Sequence, residues 1–132
     1  MTNKTLLYRQ VHPTFIQGGV VSERVFDSRT FKPFPKDDGL LSVYNGEDFS
    51  AEESFNHYLT FNSEKEVQSA GVVAVSGAEC TQHDLPIIED NDPFIGHASI
   101  SYRGLTGNQS DKAAKKLKRY ATDRGWCFLP DA

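Results

Sequence analysis

The stretch Gly71-Val72-Val73-Ala74-Val75-Ser76 carries five apolar positions without a polar interruption. A strand wetted on one face alternates apolar and polar side chains; a continuous β-branched run of this length predicts a central strand covered on both faces. Two segments have helical patterns. Ser50 is followed three residues later by Glu53, a capping box. Ala51, Phe55, Tyr58 and Leu59 then fall at i, i+4, i+7 and i+8, one buried helical stripe over 50–61. A second helix is expected from a Ser110 N-cap to about Arg124, stopped by Gly125, with Ala113, Ala114, Leu117, Tyr120 and Ala121 as its apolar face.

The remaining strands are read from alternation and turn signals. Leu6 to Val11 is a first strand, ended by His12-Pro13 because the residue before proline is pushed away from the helical region. Thr14 to Gln17 fits a helical turn stopped by Gly18-Gly19, and Val20 to Phe26 a second strand. Leu40 to Tyr44 is a third, with Asn45-Gly46 as the turn behind it. Asn62 to Gln68 reads as a polar loop and Gly77 to His83 as a short helix. Leu85 to Ile88 is a short strand that Pro86 confines to a sheet edge. His97 to Tyr102 alternates, with Ala98, Ile100 and Tyr102 inward, and Trp126 and Phe128 fit a tail folded back on the core. At 132 residues, with no repeat or linker, the expectation is one α+β domain. It has a mixed or mostly antiparallel sheet of about four to six strands and two main helices, about 50–61 and 110–124.

Apolar content of 38% and charged content of 24% exclude a disordered chain. No apolar run approaches the roughly 20 residues of a membrane span, and the first ten residues lack the apolar stretch of a signal peptide. A cytoplasmic location with Cys80 and Cys127 reduced is therefore expected. Net charge is −4, unevenly spread. Between residues 47 and 92 eleven acids face one base, Lys65, whereas residues 110–124 hold six bases against Asp111 and Asp123. Such polarity bears on partners rather than on fold.

Ser28 to Tyr44, S-R-T-F-K-P-F-P-K-D-D-G-L-L-S-V-Y, is too polar for a core and too constrained by proline for a flexible linker. Its positions Ser28, Phe31, Lys32, Pro33, Pro35, Lys36, Asp37, Gly39, Leu41, Ser42, Val43 and Tyr44 spell S-x-x-F-[KR]-P-x-P-K-D-x-G-x-L-S-V-Y. Leu7 to Pro13 adds L-Y-R-Q-V-H-P. Further on stand His57-Tyr58, G-V-V-A-V, A-E-C, a D-x-x-P-F segment, His97 to Ile100 and Arg124-Gly125-Trp126. With these motifs the chain resembles, along nearly its whole length, a family of short bacterial proteins with no assigned activity. The resemblance implies no reaction, cofactor or catalytic residue.

Candidate site residues come from the residues themselves. If Leu6–Val11 and Leu40–Tyr44 pair in one sheet, Arg9, Gln10 and His12 gather with Lys32, Lys36 and Asp37 near one end of it, and Ser28, Ser42 and Tyr44 of the 28–44 segment are further binding candidates. Arginine binds carboxylate or phosphate bidentately and lysine adds a point charge, so the cluster fits an anionic ligand or an acidic stretch of a partner protein. The alternative is that Arg9 and the Lys36-Asp37 pair satisfy one another and nearby carbonyls. His12 and His97, beside apolar strands, suit either acid/base work or a structural hydrogen bond; His57 and His83 are not expected to be catalytic. The run Glu89-Asp90-Asn91-Asp92 lacks the spacing of a calcium loop, and His83-Asp84 lacks a zinc partner, so neither metal nor cofactor is expected. Phosphate-loop, dinucleotide, nucleophile-elbow and zinc-protease motifs are absent. Both cysteines read as buried fillers.

These readings point to a small cytoplasmic binding or accessory protein rather than an enzyme, its surface formed by residues 28–44 with Arg9 and His12. A second class is an enzyme acting on a nucleotide-like anion. The strand with Arg9 and His12, the glycine turn and the Ser42-Val43-Tyr44 strand faintly resemble ADP-ribosyltransferase-type domains, although no catalytic glutamate follows at a strand end. A third is sequence-independent nucleic-acid contact through Lys112, Lys115, Lys116 and Arg119 on the last helix.

Overall fold

A computed structural model describes residues 1–17, 25–34 and 37–130. Along the chain lie β1 (Leu6–Val11), β2 (Ile16–Gln17), β3 (Val25–Phe26), β4 (Leu40–Asn45), α1 (Ala51–Phe61), β5 (Gly71–Ser76), α2 (Gly77–Thr81), β6 (Ile87–Ile88), β7 (His97–Ser101) and α3 (Gly107–Arg124). Five strands form an antiparallel sheet in the order β5-β1-β4-β7-β6, and β2 pairs with β3 as a separate ribbon. The fold is α+β, as the sequence predicts. The Gly18-Gly19 stop and positions 20–24 of the expected second strand lie outside the described residues. No helix is long and apolar enough to cross a membrane among the described residues.

The main core lies on one face of the sheet. Leu7, Val11, Leu41, Val43, Val73, Val75, Ala98 and Ile100 point there and meet Ala113, Ala114, Leu117 and Ala121 of α3. On the opposite face α1 packs on β5 and β1. The pleat turns Val72 and Ala74 to that side, and both are fully buried.

Thus β5 is covered on both faces, but it lies at the edge of the sheet and not at its centre. Periodicity reports faces and is silent about in-plane neighbours. The outer edge of β5 is closed by the tail: Cys127 N–H donates to Val72 O at 2.8 Å, and Val72 N–H donates to Phe128 O at 2.9 Å. Gly71 is required for this approach, since a Cβ there would lie 2.8 Å from Phe128 O. Phe128 then packs on Phe55 of α1 at 5.1 Å and Trp126 on Phe26 at 5.7 Å, so the tail grips both layers.

Three local expectations are corrected. The last helix starts at Gly107, with Thr106 as N-cap and Gln109 closing a capping box, and Ser110 is already inside it. The reciprocal pair three residues apart outcompetes a lone serine. The α1 stripe is only half-buried; the fully buried residue is Ser54, whose hydroxyl donates to Ala51 O at 2.7 Å. It also accepts from Gln10 at 3.3 Å, so the helix meets the sheet through a polar contact. The third concerns Ser28–Tyr44, whose start is not all surface. Ser28–Phe31 form a 3₁₀ turn capped by Asp27, with Thr30 and Phe31 fully buried. Tyr102 O–H donates to Phe31 O and anchors the turn to the core.

Burying a phenylalanine and filling its site dominate over the polarity of its neighbours. Phe31→Ala is expected to lower unfolding free energy by about 3–5 kcal/mol. Ser28→Ala, on the same turn but away from the core, should change it by less than about 0.5 kcal/mol. Urea denaturation of both variants checks the contrast.

Candidate functional site

The site arises where two neighbouring strands part. β1 and β4 are in register at Leu7↔Asn45 and Tyr8↔Tyr44, whereas β1 stays paired with β5 from Leu6 to Val11. Beyond Tyr8 the side chain of Arg9 spans the gap. Its Nε donates to Thr30 O at 2.9 Å and its Nη1 to Ser42 O at 2.9 Å. Burial lowers the guanidinium pKa from its very high ordinary value, opposed by Tyr58, Asp37 and Tyr102; the group remains charged. The backbone carbonyls left without ladder partners are thereby satisfied by a side chain.

On the α1 side of this gap lies a half-open cavity of about 190 Å³. Arg9, Ser42, Tyr44 and His97 line it together with Tyr58, Phe61 and Phe94. Arg9, Gln10 and Tyr58 also line an adjoining cavity of about 290 Å³ that reaches His12. The expected pairing of the first strand with Leu40–Tyr44 is present, and of the candidate residues Arg9, Ser42, Tyr44 and His97 line this cavity.

The wall is an aromatic cluster. Tyr44 meets Phe49 edge-on at 4.9 Å and Phe94 at 5.1 Å; His57 stacks on Phe61 at 5.2 Å, and Phe94 lies 4.4 Å from His57. Gly96 makes the approach of the 90–96 loop possible: a Cβ there would lie 2.4 Å from the Phe49 ring. Tyr44 Oη and His57 Nδ1 are 2.9 Å apart. Burial raises the phenol pKa and lowers that of the imidazole, so both are neutral at pH 7. Tyr44 O–H donating to Nδ1 fits this state. His97 is oriented by Asp90, with Nδ1 2.6 Å from Oδ1, and Ser99 donates to the other carboxylate oxygen at 2.9 Å. Burial opposes ionisation of Asp90, but the bonds from His97 and Ser99 outweigh it and hold its pKa below the ordinary carboxylate value. Asp90 engages Nδ1 and leaves Nε2 as the ring nitrogen for a ligand.

The other predicted residues lie elsewhere. His12 is an exposed cap whose Nδ1 accepts from Thr14 N–H at 3.1 Å. Lys32 is ion-paired with Asp111 of α3. Asp37 accepts from Phe34 N–H at 3.2 Å and closes its own turn, while Lys36 lies outside the described residues. Ser28 borders a shallow hollow with Lys115 and Arg119. The largest hollow, about 690 Å³, runs past Phe34, Lys32 and Arg103. Its cations are already engaged: Arg29 with Asp27 at 2.6 Å, Arg103 with Asp38 at 2.7 Å, and Lys32 as above. Lys112, Lys115, Lys116 and Arg119 form one exposed basic face of α3.

Neither cysteine offers a nucleophile. Burial, with Glu79 adding to it, pushes the Cys80 thiol up to about 12. Cys127 is half-buried rather than buried, and its thiol pKa is also raised by burial. No group of three or more metal-ligating side chains gathers among the described residues.

Sequence reasoning missed His57, Tyr58, Phe61 and Phe94 as site residues. A helical stripe assigns Tyr58 to packing, and nothing local shows that Phe94 folds against the end of α1. No family model matches the chain, and no curated protein or solved structure matches it.

The lowered pKa of His57 has a measurable sign. Below its ordinary value near 6.5 the unfolded chain binds the proton first, so stability present at pH 7 is lost as pH falls through the folded pKa. Urea midpoints at pH 7 and pH 5 are expected to show a smaller loss in His57→Gln than in the unaltered protein.

Proposed function

We propose that this chain is a small cytoplasmic binding protein whose recognition surface is the groove between α1 and the 93–97 segment. The observation that carries this reading is the convergence of Arg9, Ser42, Tyr44 and His97 on one cavity walled by aromatic rings. A pocket that is mainly apolar, with a few fixed polar groups, is the usual form of a recognition site. Its polar groups are suited to holding a ligand: Arg9 is fixed by two carbonyls and His97 by Asp90. Phe61 stands at the mouth 49% exposed, an apolar contact that binding would cover. A flat ring with a polar edge fits the space. Indole titrated to millimolar concentration into ¹⁵N-labelled protein should shift the amide resonances of Ser42, Phe61, Phe94 and His97. Ser42→Phe, which fills the cavity from β4, should abolish the shifts. Unmoved groove resonances would remove the reading.

A second reading has its own observation, the exposed cations Lys112, Lys115, Lys116 and Arg119 on one face of α3. Three or four phosphate contacts of this kind give weak binding that falls steeply with salt. Fluorescence anisotropy with labelled DNA is expected to show binding at 20 mM salt that is lost by 200 mM. No binding at the lower salt excludes the reading.

A further inference from the structure

We infer that the groove takes a basic segment of a partner protein, with one aromatic side chain of that segment entering the cavity beside Phe61. The inference rests on the binding reading above and names its partner. A large apolar residue marks the mouth: Phe61 lines the cavity and is 49% exposed. Phe94 stands at 67° to Phe61 with centroids 5.2 Å apart, so an entering ring meets one edge and one face. A cavity of about 190 Å³ accommodates one ring and no more of a chain. The rest of such a partner must lie on the rim.

The rim is acidic. Asp92 directly precedes the lining residue Pro93, Glu64 follows the lining residue Asn62 by two positions, and Asp90 holds His97. Asp48 lies against Gly96: a Cβ there would be 3.0 Å from Asp48 Cβ. Asp92, Glu64 and Asp48 are exposed, whereas Asp90 is taken up by His97 and Ser99. Among the described residues, Lys65 follows Glu64 in the chain, and Arg9 is engaged by Thr30 O and Ser42 O. A negative rim around an aromatic slot repels phosphate and favours lysine or arginine on either side of an aromatic anchor. Those cations also gain from the exposed ring faces. The α3 helix of a second copy offers cations, but its exposed face, Lys112, Lys115, Lys116 and Arg119, brings no ring to fill the slot.

The test uses the full chain and three labelled peptides, Lys-Lys-Trp-Lys-Lys, Lys-Lys-Ala-Lys-Lys and Glu-Glu-Trp-Glu-Glu, with affinity read by fluorescence anisotropy. The first should bind about tenfold or more tighter than either of the others. It should weaken severalfold in roughly 0.5 M salt, where charges on a surface are screened. Phe61→Ser should erase the advantage of tryptophan over alanine. Glu64→Gln with Asp92→Asn, which leaves the aromatic wall intact, should lower affinity for the basic peptides alone. Equal binding of the acidic and basic tryptophan peptides overturns the inference, as does equal binding of the two basic peptides. A salt-sensitive dimer in sedimentation that excludes the peptide also overturns it, in favour of self-association. If no peptide binds while indole still shifts the groove resonances, the partner chemistry fails and the binding reading stands. If indole fails too, both fall.

Discussion

The arginine between β1 and β4 is the interaction on which the rest of the molecule turns. Two neighbouring strands of one sheet diverge, and divergence normally leaves backbone carbonyls without donors. Arg9 supplies donors from a side chain to Ser42 O of β4 and to Thr30 O of the buried turn. A guanidinium suits this because its donors are fixed in a fork and it cannot be neutralised. One residue thereby stabilises the opening in the sheet, fastens the 28–31 turn beneath it and furnishes part of a cavity wall. The cavity follows from how the sheet is built and is not a defect in packing.

The two faces of the sheet do different work. The α3 side is filled with Leu, Val, Ile and Ala at full burial, which is where the stabilising apolar area lies. On the α1 side the helix packs mainly on β5 and β1, with a polar Gln10–Ser54 contact, and touches β4 through Tyr44 and His57, while Ser42 of β4 remains exposed. The loop carrying Phe94 rests on the end of α1 and on Tyr44, forming the second wall of the groove. The site thus lies where the end of α1 and the 93–97 segment leave Ser42 of β4 uncovered between them.

What the sequence disclosed follows the range over which its signals act. Period and capping are local, so α1, β1, β4, β7 and the edge character of β6 were legible from side-chain spacing and from Pro86. The pairing of β1 with β4 was legible too, because both strands announce themselves, but not that Ser42, Tyr44 and His97 rather than Lys32 and Asp37 would join Arg9 at one cavity. The edge position of β5 was not, since a run buried on both faces looks the same whether its in-plane neighbour is a strand or a returning tail. Phe31 was hidden by the polar residues around it, and only tertiary burial distinguishes it from Phe34. The aromatic wall was illegible for a further reason. His57, Phe61 and Phe94 meet across more than thirty positions of chain, and a helical repeat assigns the first two to packing or to solvent.

The closure of β5 by Trp126 to Phe128 has a consequence for how the molecule comes to be made. Until those residues have docked, the outer N–H and C=O of Val72 lack their partners, and Phe55 and Phe26 lack their caps. The growing polypeptide therefore passes through an interval in which its most apolar strand offers an open margin to any other nascent strand. That margin closes only once Cys127 and Phe128 have paired with Val72.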